Sequence, residues 1–349
     1  MSLARAIETG DVTELPSRRD EDWRWTDLRG LVRTLPPASP PGDAAALAAG
    51  PFAGLADEAI VFLNGRRLSG QGALTVAAGA PCVLNLRFVA QASGTSHYSQ
   101  ISLVLEPGAN LTLVESHEGA GEAYVTGAGL DIRLGEGARL ERIVLVDEAS
   151  DAVAVATADV VLAPNASFSQ TVLTVGAKRQ RVETRVRHPG GGASVRLDGV
   201  YLPTGARMAD LTTEVLHQGV DGVTSQLTKG AVRDQARGVF QGRIVVEEGA
   251  DRTDARMGHH ALILSERGEI DAKPELLIYA DDVSCAHGNT VGALDEEALF
   301  YAAQRGIPDV DARAMLTEAF VIEVVDRIEH EAAREVARAW VEARLRDAA

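Results

Sequence analysis

The stretch GANLTLVESHEGAGEAYVTGAGLDIRLGEGARL, residues 108–140, opens on Gly108-Ala109 and closes by repeating that pair at Gly137-Ala138. Working outward, the pair recurs as Gly79-Ala80, Asn165-Ala166 and Gly192-Ala193. The spacing, about 28 residues, is that of a solenoid. Two residues past each alanine stands an apolar or thiol side chain: Cys82, Leu111, Leu140, Phe168 and Val195. Gly249-Ala250 falls two periods beyond Gly192, although Arg252 then breaks the apolar rule. Segments such as Leu111-Thr112-Leu113 and Val195-Arg196-Leu197 alternate as strands do. Gly or Asn at each repeat start supplies the backbone freedom a corner needs. Short strands at a solenoid period, without intervening helices, predict a mainly β chain built as a parallel β-helix. One coil cannot bury its inward side chains alone, so coils must stack. On this register Cys82 belongs in the core, where a free thiol packs as a small hydrophobe.

The 349 residues carry a formal net charge of −16, with 46% hydrophobic, 24% charged and only 4% aromatic residues. So acidic a surface argues against nucleic acid or an anionic membrane as partner, since both attract basic proteins. No run of about 18 apolar residues suggests a span, and the N-terminal stretch lacks a signal-like apolar core. Two distant cysteines, Cys82 and Cys285, make no disulfide framework. A cytoplasmic chain is the expectation. There is no G-x-x-x-x-G-K-[ST] loop, so ATP hydrolysis by this chain is not expected. Gly127-Ala128-Gly129 meets Ile132 where a dinucleotide fingerprint has its third glycine.

The chain divides into a helical segment and linker over 1–58, a β-helix over 59–292 and a helical domain over 293–349. Residues 1–35 read as polar helix anchored by Trp23, Trp25 and Leu28, because large rings make good anchors. Residues 36–54, rich in Pro, Ala and Gly, read as linker or crossover. At the other end, Asp295 is placed to cap a helix whose first turn carries Glu296 and Glu297, with Gly306 at its stop. Further on, Met315, Ala319, Ile322 and Val325 form an apolar stripe widened by Leu316 and Phe320. With Phe300, Tyr301 and Arg305 beside it, that stripe is too large to stay bare, and part of it should receive a partner.

Between body and tail lie Cys285 and His287. On a strand, residues i and i+2 share a face, so thiol and imidazole project together. Read without further context, the pair is packed core. Read as chemistry, it is half of a site for iron or sulfide, since a cluster takes about four thiolates or substitutes. His259 and His260 are adjacent and would face opposite ways. Asp271, Asp281 and Asp282 suggest a second class, a β-helix polysaccharide lyase or hydrolase using paired carboxylates. A third class is a purely structural solenoid.

The string Cys285-Ala286-His287-Gly288-Asn289-Thr290-Val291-Gly292, with Leu299-Phe300-Tyr301 and Gln304-Arg305-Gly306-Ile307, resembles the C-terminal signature of the SufB/SufD family. Leu15-Pro16-Ser17-Arg18-Arg19 and Trp23-Arg24-Trp25-Thr26-Asp27-Leu28 resemble its N-terminal pattern. The Cys-x-His-Gly form is closer to the SufD branch. The resemblance implies a right-handed parallel β-helix between helical ends, acting as a non-enzymatic subunit in iron–sulfur cluster assembly. It implies a SufB-like paralogue as partner and a SufC-like ATPase docked on the C-terminal helices, through Phe300, Tyr301, Arg305, Met315, Ala319 and Ile322. A homodimer is expected when the chain is isolated. His287, and with it Cys285, matches the family's nascent-cluster position. No cofactor is expected to be held tightly by this chain alone; iron or a transient cluster would be shared with the partner chain.

Overall fold

A computed structural model describes residues 2–56, 59–68 and 72–347. In it, successive strands alternate between a ten-stranded and an eight-stranded sheet. From Cys82–Ala90 to Val283–Gly292, each strand pairs in parallel with the strand two further along the chain. One strand of each sheet therefore makes one coil, and about eight coils stack into a parallel β-solenoid. Strands occupy the chain from Ala59 to Gly292, and the boundary expected at residue 58 lies outside the described residues.

The corners behave as the repeat requires. Gly108, Gly137, Asn165 and Gly192 all have φ between +60° and +76°, the left-handed region where side chains beyond Cα are disfavoured. The following residues, Ala109, Ala138, Ala166 and Ala193, are 0% exposed. The next corner escaped the sequence pattern because it is Asp221-Gly222, with Asp221 at φ +61°. A Cβ on Gly222 would sit 2.4 Å from Nδ1 of His217, so alanine does not fit there. The corner after that corrects the reading of Gly249-Ala250. The ladder aligns Val223 with Asp254, so the equivalent of Asp221 is Arg252, itself at φ +57°. Gly249-Ala250 forms an additional turn before it. Arg252 reaches back along the corner row to Asp221 with two hydrogen bonds of 2.7 and 2.9 Å.

Leu111, Leu140, Phe168 and Val195 stack in one inward column and meet Leu103, Ile132, Val160 and Val186 from the other sheet. Cys82 begins that column, opposite Leu111, yet it is exposed, contrary to its assignment to the core. The first coil's described strand starts at Ala59, opposite Asn85, and leaves the Cys82 position uncovered. Beside these apolar columns the interior also holds buried charge. Arg142, 1% exposed, donates two 2.8 Å hydrogen bonds to Glu115, which is fully buried. Burial penalises the Glu115 carboxylate, but Arg142 and His117 more than offset this and hold it at about 2. The Gln170 side chain accepts from Arg142 at 2.5 Å, so the charges are paired and their remaining hydrogen-bond capacity is met.

The N-terminal segment is less helical than expected. It holds α1 (Leu3–Thr9), α2 (Leu28–Leu31) and short 3-10 turns, laid over the outer face of the eight-stranded sheet against Val125, Val153 and Val155. Leu28 is fully buried there, and Trp23 lies under the Arg181 guanidinium, 4.3 Å from the ring centroid. Residues 36–54 cross between faces: Ser39 bonds to the Ser96 carbonyl in one sheet, while Phe52 is buried on the outer side of the other. That second face is covered by α3 (Glu296–Gln304), α4 (Asp309–Val325) and α5 (Glu331–Asp347). Val321, Val324, Ile328 and Val341 pack on Val114, Ile143, Leu145 and Leu173. Ion pairs of Lys229 with Glu323 and Arg327 with Asp198 fasten the helices to the strands. Among the described residues no helix is long and apolar enough to cross a membrane.

His188 and His217 stack in consecutive coils with centroids 4.4 Å apart, both fully buried. Burial, with a smaller contribution from His188, pushes His217 down to about 3. The folded chain thus keeps a neutral imidazole where the unfolded chain takes up a proton below about pH 6.5. Stability is therefore complete above that pH and falls as pH drops toward 3; at pH 5 the loss from this residue is about 2 kcal/mol. Urea titrations at pH 7.5 and 5.0 should show a smaller pH effect in His217→Gln than in the parent. Equal pH effects in the two chains would remove His217 as the cause.

Candidate functional site

A β-solenoid ends where its last rung finds no successor. Here the last rungs are Glu269–Ile278 and Val283–Gly292, each paired on one side only. Parallel neighbours cover every earlier inward residue from above, but not these. Leu277, Ile278, Tyr279 and Val291 are 39–64% exposed. Unpaired backbone edges beside bare apolar side chains form a surface suited to further strand pairing.

The register decides what this end displays. Cys285 stacks on Ala255 and His287 on Met257, both of them buried. Thiol and imidazole therefore occupy the inward face together, as their spacing predicts, with Cα atoms about 6.6 Å apart along an extended strand. Cys285 is half-buried against the cluster of Phe240, Ala255 and Met257. Burial pushes its thiol up, a backbone hydrogen bond at Ala255 opposes this, and Asp254 adds to the rise. The sulfur accordingly stays protonated near neutrality until a metal ion or a positive neighbour stabilises the thiolate. His287 is exposed and makes no hydrogen bond or ion pair to any described residue. Among the described residues no group of three His, Cys, Asp or Glu could hold a metal ion. Cys285 and His287 are thus two donors on one face, an incomplete ligand set.

One neighbour of the pair, Asn289, was quoted in the motif but given no role by the sequence reading. Asn289 continues the alternation and stacks on His259, whose Nδ1 lies 2.7 Å from the Asn289 Oδ1. On its other side the His259 Nε2 lies 2.9 Å from the Tyr201 hydroxyl, which suits Nδ1–H donating to Asn289 and Nε2 accepting from Tyr201. Burial drives His259 down to about 4, against the hydrogen bond it donates to Asn289, and its ring lies parallel to Phe240 at 4.7 Å. The signal was available, since Asn289 is two residues past His287. His260 faces outward instead and bonds to Thr290, so the adjacent histidines do diverge. Of the acidic residues, Asp271 is tied to Arg237 at 2.6 Å, while Asp281 and Asp282 lie exposed in the turn between the last strands.

The helical residues separate into two groups. Asp295 caps α3 by accepting from the backbone of Glu297 and Ala298, and Gly306 beyond it has φ +79°. Phe300 and Tyr301 on α3 are 67% and 60% exposed, with Arg305 over the Tyr301 ring at 4.9 Å. Met315 and Ala319, one helical turn apart on α4, are exposed too. Ile322 turns toward the strands and packs in the core beneath the helices.

This geometry can be set beside known proteins. A family model described as SUF system FeS cluster assembly, SufBD core domain, matches residues 88–320. The chain is 34% identical over 253 residues to the iron–sulfur cluster assembly protein SufD of Escherichia coli, covering 72% of this chain and 59% of that protein. It is 28% identical over 238 residues to a SufBD family protein of Synechocystis, covering 66% and 52%. With a SufBD family protein of Mycobacterium leprae it shares 25% identity over 345 residues, 91% of this chain and 87% of that one. The chain spans little more than half the length of the first two relatives. The matched core takes in the stacked coils, the open end with Cys285 and His287, and α3, and on that extent the chain belongs to the SufBD family of the SUF iron–sulfur cluster assembly system.

Proposed function

We propose that this chain is a non-catalytic scaffold subunit of a SUF-type assembly complex, and that its open end is where a SufB-like paralogue adds its own last strands. The observation that carries the reading is the strand Val283–Gly292, paired on one side only, which presents Cys285 and His287 on its inward face with an incomplete ligand set. Iron or a nascent cluster is then cargo rather than a resident group. His287 supplies a nitrogen donor and Cys285 a sulfur donor once deprotonated, and the remaining ligands come from the facing chain. His287→Ala in the co-expressed complex should lower iron and sulfide per complex at least fivefold while subunit stoichiometry stays constant. Cys285→Ala should lower them less. Full cluster content in an intact His287→Ala complex would favour a purely structural solenoid, and loss of the complex would make His287 an interface residue.

The exposed group of Phe300, Tyr301, Arg305, Met315 and Ala319 is the seat of a SufC-like ATPase, which performs the nucleotide chemistry this chain has no loop for. Removing the whole tail is a poor test, because α4 and α5 cover Val114, Ile143 and Leu173, and the bared sheet would aggregate. Point changes avoid this. Phe300→Asp and Met315→Asp should each keep the melting temperature within a few degrees and reduce retention of the ATPase subunit at least tenfold. Unchanged retention in both would move the docking site elsewhere.

In the absence of a paralogue, the same edges and apolar end suit a second copy of this chain. The isolated protein should sediment as a homodimer, and Val291→Lys should make it monomeric. A monomeric parent, or a dimer indifferent to Val291→Lys, would count against pairing through this end.

A further inference from the structure

A strongly basic concavity of this acidic protein lies far along the chain from the open end's residues. A cavity of about 610 Å³ is walled by Ser17, Arg18, Arg19, Asp27, Arg29, Gly30, Leu31, Arg33 and Arg179. Five of these are arginines and one, Asp27, is acidic, in a chain whose net charge is −16. The Asp27 carboxylate is already engaged, accepting from the Gly30 amide at 2.7 Å as the cap of α2. No carboxylate of the described residues stands within ion-pair distance of Arg18, Arg19 or Arg33. Like charges gathered in this way repel one another unless an anion joins them.

Arg179 makes the wall a built one. It projects from the start of the strand Arg179–His188, its Nε is buried without a hydrogen-bond partner, and its Nη1 contacts the Met208 sulfur at 2.9 Å. A thioether is a weak acceptor, so this guanidinium is desolvated without a carboxylate on either edge of its fork. Burial, then the charge of Arg237, push it below the usual arginine range, and the charge of Asp27 opposes them only in part. Arg29 serves the frame, donating from Nε to the Leu15 carbonyl at 2.9 Å and also to the Thr13 carbonyl. The loop carrying Arg18 and Arg19 is held by Asp20, which accepts from the Ser17 amide at 2.8 Å.

We propose that this arginine-walled cavity binds a small ligand through a di- or triphosphate group. Guanidinium forks match phosphoryl oxygens two at a time, and the volume lies within the range of small-molecule sites. No aromatic ring lines the cavity, so the phosphoryl group is recognised and a nucleobase is not stacked. A long nucleic acid is disfavoured because it would meet acidic surface beyond the cavity.

The test is calorimetry on the full chain at 150 mM salt, titrating inorganic pyrophosphate, ADP and adenosine separately. Pyrophosphate should bind saturably at one site, and Arg18→Gln and Arg179→Gln should each weaken it at least tenfold. Arg133→Gln, an exposed arginine on the same sheet outside the cavity, should leave it unchanged. ADP binding as tightly as pyrophosphate, with adenosine silent, would assign the group to a nucleotide; binding of pyrophosphate alone would assign it to an inorganic or non-nucleotide diphosphate. Arg18 is exposed and removable without harm to the fold, so its variant stays informative even if Arg179→Gln unfolds. Absence of saturable pyrophosphate binding, or parent-like binding by Arg18→Gln, would overturn the proposal.

Discussion

Each coil of this protein depends on the backbone hydrogen bonds that the neighbouring coil returns. A lone coil has one strand in each sheet, no ladder partner for its strand amides and carbonyls, and an inward face too small to exclude water. The ladder solves both problems at once, and it does so only while the register holds from one rung to the next. Left-handed corners followed by buried small residues hold that register, because a larger side chain would push the coils apart. The corner at Asp221-Gly222 shows the limit of the rule, since stacked histidines take the alanine's space and only glycine remains.

The same dependence explains why the ends of the solenoid matter more than its middle. Interior rungs are satisfied on both sides and leave nothing for a partner. Beside the short first coil Cys82 is left bare, and at the last a row of inward side chains has no coil over it. The three C-terminal helices cover a face of the ten-stranded sheet, not its last edge. Protection of the apolar outer surface and availability of the end are therefore separate features.

Much of this was legible in the chain. Period, corner chemistry and alternation point to stacked parallel strands, and the shared face of Cys285 and His287 follows from strand geometry alone. Burial was harder to read, because a register position states which way Cys82 points but not whether another coil lies over it. The slip at Gly249-Ala250 has a similar origin, since an inserted turn preserves the motif while moving the true corner to Arg252. Contacts between residues distant in sequence left no local signal. Nothing near Glu115 announces Arg142, and nothing in the Arg18-Arg19 pair foretells that Arg179 closes the same wall. The N-terminal segment was read as helix because its polarity allows one, but Pro16 and the capping aspartates break it into short turns.

The two cysteines occupy the first and last positions of one ladder column, running from Cys82 through Leu111, Leu140, Phe168, Val195, Thr224 and Ala255 to Cys285. Seven rungs at about 4.8 Å place them roughly 34 Å apart along the axis. The protein thus contains a built-in molecular ruler, with a thiol at each end. Spin labels on the two sulfurs would report the length of the stack directly, and any stretching or kinking of the solenoid under load would register as a change in a single distance.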